Sequence, residues 1–217
     1  MKTLLFVTLL MIGFMMESSA QPTVPNTSGV KRPQYKISVT QSGKHLGDIV
    51  IELFPDIAPK HAHNFDSLVS AGFYNGTAFH RVIPNFMIQG GDPNTKDDSK
   101  INLWGTGDPS QTRVPAEFSK LPHKRGIISA ARTNDPNSAT SQFFLCVADS
   151  PWLDNQYSIY GQVLSGMEVA DMIVNTPRNS QDRPNEKVSM TIEKINVAGS
   201  AAKQKAKPAT KTIKGDK

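Results

Sequence analysis

The chain has 217 residues, enough for one domain with a sizeable core and too few for two ordinary ones. Its formal net charge of +5 is carried by residues 199–217, where Lys203, Lys205, Lys207, Lys211, Lys214 and Lys217 face a single acid, Asp216. The remainder is balanced, which argues against a basic nucleic-acid-binding body, and the single cysteine, Cys146, excludes an intramolecular disulfide and a cysteine-ligated zinc.

Residues 1–20 begin with Lys2, continue with an apolar run over 4–16 and end on Ser18, Ser19 and Ala20. This is the layout of a secretory signal peptide, with cleavage expected after Ala20. The apolar run of 13 residues falls short of the roughly 20 that a bilayer-spanning helix needs, so no membrane span is expected after cleavage. With no cysteine near that point, an acylated lipoprotein is excluded. An exported protein is expected, with the periplasm favoured over full secretion.

Residues 21–33 hold Pro22, Pro25 and Pro33 among Asn, Thr, Ser and Gly, the composition of a flexible linker. Strand signals follow. Tyr35, Ile37 and Val39 alternate with polar residues, and residues 48–53 continue the pattern. Residues 59–71 carry Ala62, Phe65, Leu68 and Val69 at helical spacing, with Pro59 at the start and Gly72 just past the end, which predicts an amphipathic helix. Short apolar runs lie at 86–89, 126–131, 142–147, 158–163 and 188–197, separated by Gly, Pro, Asn and Asp. A second, shorter helix is predicted over 166–174 from Met167, Ala170, Ile173 and Val174. Many short strands with turn signals point to a mostly β sandwich or barrel. The domain is expected to span 34–198. The Ala/Lys-rich tail at 199–217 lacks the apolar surface to offset ordering entropy and is expected to be disordered.

Several chemistries lack support. No glycine-rich phosphate loop is present. His61 and His63 lie two apart on a predicted helix and so face different directions, which disfavours a metal pair. Ser141, His80 and Asp135 could be named as a hydrolytic triad, but no nucleophile-elbow spacing accompanies them. Cys146 sits in the apolar run Phe143-Phe144-Leu145-Cys146-Val147 and reads as a small buried hydrophobe.

The segment Phe79-His80-Arg81-Val82-Ile83-Pro84-Asn85-Phe86-Met87-Ile88-Gln89-Gly90-Gly91-Asp92 stands out, because one arginine lies among large apolar residues. On a strand Arg81 and Ile83 share a face, and Phe86 lies beyond the Pro-Asn turn. A cation beside apolar side chains fits a pocket for an apolar group with one polar feature. A salt-bridged surface arginine fits the pattern equally well.

The same segment resembles the signature of the cyclophilin family. Ser141-Gln142-Phe143-Phe144, with Asn137 upstream, forms a second matching block, and Trp152-Leu153-Asp154 followed by Tyr160-Gly161-Gln162-Val163 a third. The resemblance covers roughly 36–197 and is strongest to bacterial members, through the stretch 131–142. It implies a closed eight-stranded antiparallel β-barrel capped by two α-helices. It implies peptidyl-prolyl cis-trans isomerase activity, with Arg81 as the catalytic residue and Phe86, Met87, Phe144 and Leu153 gripping the proline ring. Gln89 is expected to orient the substrate and support the arginine. Ala131, Arg132 and Thr133 are expected to pair with the substrate backbone, and Trp152 to line the site and contact cyclosporin. His80 and Asn137 are expected to be structural.

There are departures. Tyr157 stands where eukaryotic members carry histidine, which implies altered substrate preference with activity kept. Ala130 stands where methionine is common. One residue is inserted around Asn134-Asp135, so the placement of Arg132 and Thr133 is open by one position. The partners implied are proline-containing polypeptides and unfolded exported proteins, with no nucleic acid, no cofactor and no metal, and a monomer is expected. A proline-binding module with incidental catalysis is the alternative, and the presence of Arg81 favours the enzyme.

Overall fold

In a computed structural model the described residues are 24–195, so the expected signal peptide and lysine tail lie outside them. Strands form at Gln34–Gln41 (β1), Lys44–Leu53 (β2), Ala78–Phe79 (β3), Arg81–Ile83 (β4), Met87–Gly90 (β5), Ile127–Ala130 (β6), Phe143–Cys146 (β7), Ile159–Ser165 (β8) and Val188–Ile195 (β9). Two α-helices lie at Pro59–Ser70 (α1) and Met167–Val174 (α2). The strands make one sheet in the order β3-β9-β1-β2-β8-β6-β7-β5-β4, and every strand pair in it is antiparallel.

The two ends of that order are neighbours in the chain. β3 and β4 are separated only by His80, whose N–H donates to the Gln89 carbonyl at 3.0 Å. One short segment therefore pairs with β9 at its start and with β5 at its end, and this closes the sheet into a barrel. Read as one strand, β3 and β4 bring the nine strands to the eight expected. Closure removes the exposed edges that an open sheet would present.

Burial follows the period of the side chains. In β1 the buried positions are Tyr35, Ile37 and Val39, in β2 Ile49, Ile51 and Leu53, and in β9 Val188, Met190 and Ile192. Each strand sends alternate residues into one barrel core. The helices complete that core with Ala62, Phe65 and Val69 from α1 and Met167, Val169, Ala170, Ile173 and Val174 from α2. Phe65 packs edge-on to Tyr35 and Phe143, with centroids 5.4 and 5.9 Å away. β6, β7 and most of β8 differ, because they are buried on both faces. The second face of β7 belongs to the site described below, while that of β6 carries Ile127, clustered with Phe54 and Ile159, and Ser129, bonded to His123.

α1 begins at Pro59, as the sequence predicts, but no neighbouring side chain caps it. Glu117 does so from a distant loop, accepting the Lys60 and His61 N–H groups at 3.0 Å each. A carboxylate there satisfies two free donors and complements the positive end of the helix dipole. His61 is buried and His63 exposed, so the two face apart as expected.

The stretch expected to be a flexible linker carries no helix or strand where it is described, yet it is anchored to the barrel. The Val24 N–H donates to Gln162 Oε1 at 2.7 Å, and its side chain packs against Phe54, Ile127 and Ile159. Arg32 is only 7% exposed. It donates to Asp56 through Nε and Nη2 at 3.0 and 2.8 Å, donates to the Val24 carbonyl, and lies 4.3 Å from the Phe54 ring centroid. Apolar burial and a paired cation hold this segment, which proline content alone does not reveal.

Candidate active site

The site lies on the outside of the barrel, across β4, β5 and β7. Pairing sets Arg81 opposite Gln89, Gln89 opposite Phe144, and Met87 opposite Cys146. Residues that face one another across a ladder share a side of the sheet. This outer face thus carries a cation, an amide and a row of apolar groups side by side. Met87, Phe144, Cys146 and Leu153 are buried together there, with Ile83, Phe86, Ala131 and Tyr157 packed around them. Burial on both sides explains why residues 143–147 read as a continuous apolar run.

The turn that positions Phe86 follows from its sequence. Pro84 fixes its own φ, Asn85 takes a left-handed φ of 60°, and the Phe86 N–H closes the turn on the Ile83 carbonyl at 3.1 Å. Proline followed by a residue tolerant of positive φ is what a type II turn asks for. The Phe86 carbonyl then accepts the Val147 N–H at 2.9 Å, tying the turn to the end of β7.

These residues enclose a cavity of about 100 Å³, room for a single small ring. Nine of the eleven expected site residues line it: Arg81, Phe86, Met87, Gln89, Ala131, Arg132, Phe144, Leu153 and Tyr157. A second cavity of about 260 Å³ adjoins it, sharing Gln89, Ala131 and Arg132, and Thr133 lines this one. Trp152 lines neither; it is 55% exposed and tilts against Phe86, with centroids 5.5 Å apart.

Arg81 is exposed and its side chain makes no hydrogen bond or ion pair with any described residue. Of the two readings the sequence left open, the salt-bridged surface arginine therefore has no partner here. Gln89 sits beside Arg81 across the ladder but bonds elsewhere: its Nε2 donates to Gln142 Oε1 at 3.0 Å, and Gln142 Nε2 donates to the Gly105 carbonyl at 3.2 Å. Its direct support of the arginine is geometric, through strand pairing.

The wall formed by residues 151–157 is held from behind. Asp154 accepts the His123 N–H at 2.7 Å and pairs with His123 Nδ1 at 2.9 Å. His123 Nε2 meets Ser129 Oγ at 2.9 Å, and the imidazole stacks behind Phe144 with an interplanar angle of 15°. Burial holds the His123 imidazole below its usual pKa, against the pull of Asp154. Serine, histidine and aspartate line up here as in a hydrolase, but Ser129 is fully buried, so no substrate reaches it. The sequence reading gave His123 and Ser129 no role.

The triad named from sequence does not assemble. Both ring nitrogens of His80 lack a partner, and Ser141 Oγ donates to the Gly91 carbonyl at 2.8 Å. Asn137 Oδ1 accepts the Ala116 N–H at 3.0 Å, a structural bond between two loops. Burial pushes the Cys146 thiol up to about 12, which leaves it protonated and unreactive at neutral pH. No group of three or more metal-ligating side chains occurs among the described residues.

Known proteins resemble this chain in sequence and fold. Residues 36–197 match the family model described as cyclophilin type peptidyl-prolyl cis-trans isomerase/CLD. A probable peptidyl-prolyl cis-trans isomerase of Brucella suis is 44% identical over 153 residues, covering 68% of this chain and 78% of the relative. A peptidyl-prolyl cis-trans isomerase of Acinetobacter baylyi is 43% identical over 166 residues, covering 71% and 85%. Among solved structures, a cyclophilin type peptidyl-prolyl cis-trans isomerase of Cryptosporidium parvum superposes with a TM-score of 0.67 at 29% identity, covering 76% of this chain and 99% of the other. The same parasite protein, solved in the presence of the dipeptide Ala-Pro, gives a TM-score of 0.63 at 31% identity, with 73% and 96% covered.

Proposed function

The chain belongs to the cyclophilin-type peptidyl-prolyl cis-trans isomerases, and we propose that Arg81 carries its catalysis while the adjoining apolar cavity grips the proline ring. The barrier to be lowered is the partial double bond of the X-Pro amide, about 18–20 kcal/mol, with unaided exchange taking tens to hundreds of seconds. No covalent bond breaks. The enzyme has only to favour the twisted amide over both planar forms. In the twisted state the prolyl nitrogen regains a lone pair and the carbonyl swings out of plane. A guanidinium presents several donors in a rigid fork and can address either atom.

The observation that carries this reading is the Arg81 side chain, without a partner among the described residues, at the rim of a ring-sized cavity with an apolar wall of Phe86, Met87, Phe144 and Leu153. Phe86, Met87, Phe144 and Leu153 would hold the ring, and a donor beside it would meet the amide as it twists. Gripping the ring alone does not call for a free cation at that point. The test is exchange kinetics on a proline peptide, by NMR or a protease-coupled assay, with wild type and Arg81→Ala. Loss of a hydrogen bond made chiefly in the transition state is expected to lower kcat/KM by roughly a hundredfold, about 3 kcal/mol. Equal rates in the two proteins would refute the assignment.

We further propose that the enzyme serves the folding of exported proteins, with the periplasm as its compartment. The signal-peptide layout of residues 1–20 supports this. Mass spectrometry of the mature N-terminus after cell fractionation tests it, and an intact Met1 in the cytoplasmic fraction would overturn it. Cyclosporin is proposed as a ligand on the strength of the exposed Trp152 against Phe86.

A further inference from the structure

Arg132 has an unusual set of partners. Its guanidinium carbon lies 4.4 Å from the centroid of the Tyr157 ring, and Tyr157 in turn packs edge-on to Phe144 at 5.5 Å. Its Nε and Nη2 donate to the Gln156 carbonyl at 3.1 and 2.9 Å, and its Nη1 donates to the Thr133 carbonyl at 2.8 Å. All of these acceptors are neutral. No carboxylate of a described residue lies within ion-pair distance, 4.0 Å, of Arg132. The charge is therefore fixed in place and uncompensated. It stands at the edge of the ring-sized cavity and of its larger neighbour, because Arg132 lines both.

The surroundings reinforce that sign. Arg81 faces the first cavity without a partner, and Arg113 lines the second, reaching only Asp135 at 3.7 Å. The one acid lining the second cavity, Asp108, is occupied by the N–H and hydroxyl of Ser110 at 2.8 and 2.7 Å. A polypeptide whose proline enters the first cavity has to cross the Arg132 boundary to reach the second.

We propose that Arg132 makes this enzyme select X-Pro segments bearing a carboxylate side chain within two residues of the proline. The inference rests on the isomerase site described above and adds a substrate class to it. The fork is held by three carbonyl contacts and a ring, so little side-chain freedom is lost when a carboxylate arrives. The attraction is the same in the planar and twisted states of the amide, so it lowers KM and leaves kcat alone. At a partly solvated surface it is worth about fivefold in kcat/KM.

The test uses the mature protein and proline peptides carrying Glu, Gln or Lys at each of the two positions before proline and the two after. Exchange is measured by NMR, so no protease specificity intrudes. Wild type is expected to favour Glu over Gln by about fivefold at one or more positions and to disfavour Lys, with the difference in KM. The preference should shrink in about 0.5 M salt, where the Debye length falls below about 5 Å. In Arg132→Gln the Glu-to-Gln ratio should fall to about one. The ratio is taken within each protein, so a change in overall turnover does not enter it. The neutral Gln peptides report isomerase activity itself, which separates failure of that reading from failure of this one. A wild-type ratio of one at every position, or a preference that survives in Arg132→Gln, overturns the proposal.

Discussion

His80 gives the sharpest physical test of the fold around Arg81. It is 5% exposed, and both ring nitrogens lack a hydrogen-bond partner. Burial lowers its pKa from 6.5 to about 4, outweighing the opposing field of Asp92. In the unfolded chain it titrates near 6.5. Between these values the unfolded state binds a proton that the native state refuses, so stability falls as the pH drops. That gap amounts to roughly 3 kcal/mol once the pH is well below 4, and most of it is lost between pH 7 and 4.5. His61 and His123 are held below their usual pKa in the same way and add to the slope, so the comparison must isolate His80. His80→Leu, which cannot be protonated, should lose roughly 2–3 kcal/mol less than wild type over that interval, by urea unfolding at each pH. In thermal melts the relative gain corresponds to roughly 5–10 °C for a domain of this size. The ring proton resonances of His80 in the wild-type protein supply an independent reading, with a midpoint expected near 4. Parallel stability–pH curves for the two proteins, together with an NMR midpoint near 6.5, would refute the burial argument.

Gly166→Ala is expected to destabilise the domain by roughly 2–4 kcal/mol, because Gly166 has φ 92° and an added Cβ would collide with the Asp48 carbonyl oxygen and come within 2.8 Å of the Ile49 Cα. Chemical denaturation measures this, and a loss under about 0.5 kcal/mol would show that β2 and the start of α2 yield more readily than their packing implies. Trp152→Phe is expected to weaken the proposed cyclosporin binding at least tenfold, or about 1.4 kcal/mol, since the indole presents a large exposed ring. Isothermal titration of both proteins decides it, and equal affinities would remove Trp152 from the ligand surface.

The sequence was most informative where a strand has one wet face. Tyr35, Ile37 and Val39 alternate in and out because only one side of β1 meets the core, and period two survives in the residues. Residues 143–147 hid their geometry for the opposite reason. Phe143 and Leu145 face the barrel interior, Phe144 and Cys146 face the site, and two apolar environments erase the alternation. Barrel closure was also illegible, since β3 and β4 have two and three residues and fall below any periodic signal. The supporting contacts were hidden by distance along the chain. Glu117 caps a helix 56 residues away, and Asp154 holds a histidine 31 residues away. Arg81 lies between these cases. Its apolar neighbours are plain in the sequence, but only the fold shows that no carboxylate of a described residue comes to meet it.

The two kinds of support divide the work of the site. Arg81, Met87, Gln89 and Phe144 stand on strands whose register is set by ladder hydrogen bonds on both sides of β5, and Val82 is further tied by its N–H to the Asp182 carbonyl at 2.8 Å. A reaction that breaks no bond gains only from groups already in position when the amide twists, and strand pairing supplies that fixity. Tyr157 and the cation of Arg132 stand on loops and Leu153 on a short 3-10 turn, Pro151–Leu153, held by the Asp154–His123 contact and by carbonyls that carry no charge. Loops accept substitution at lower cost than paired strands. On the proposed roles, the rate of rotation would belong to the ladder face, and the choice among proline-containing chains would be made by the loop wall where Arg132 stands.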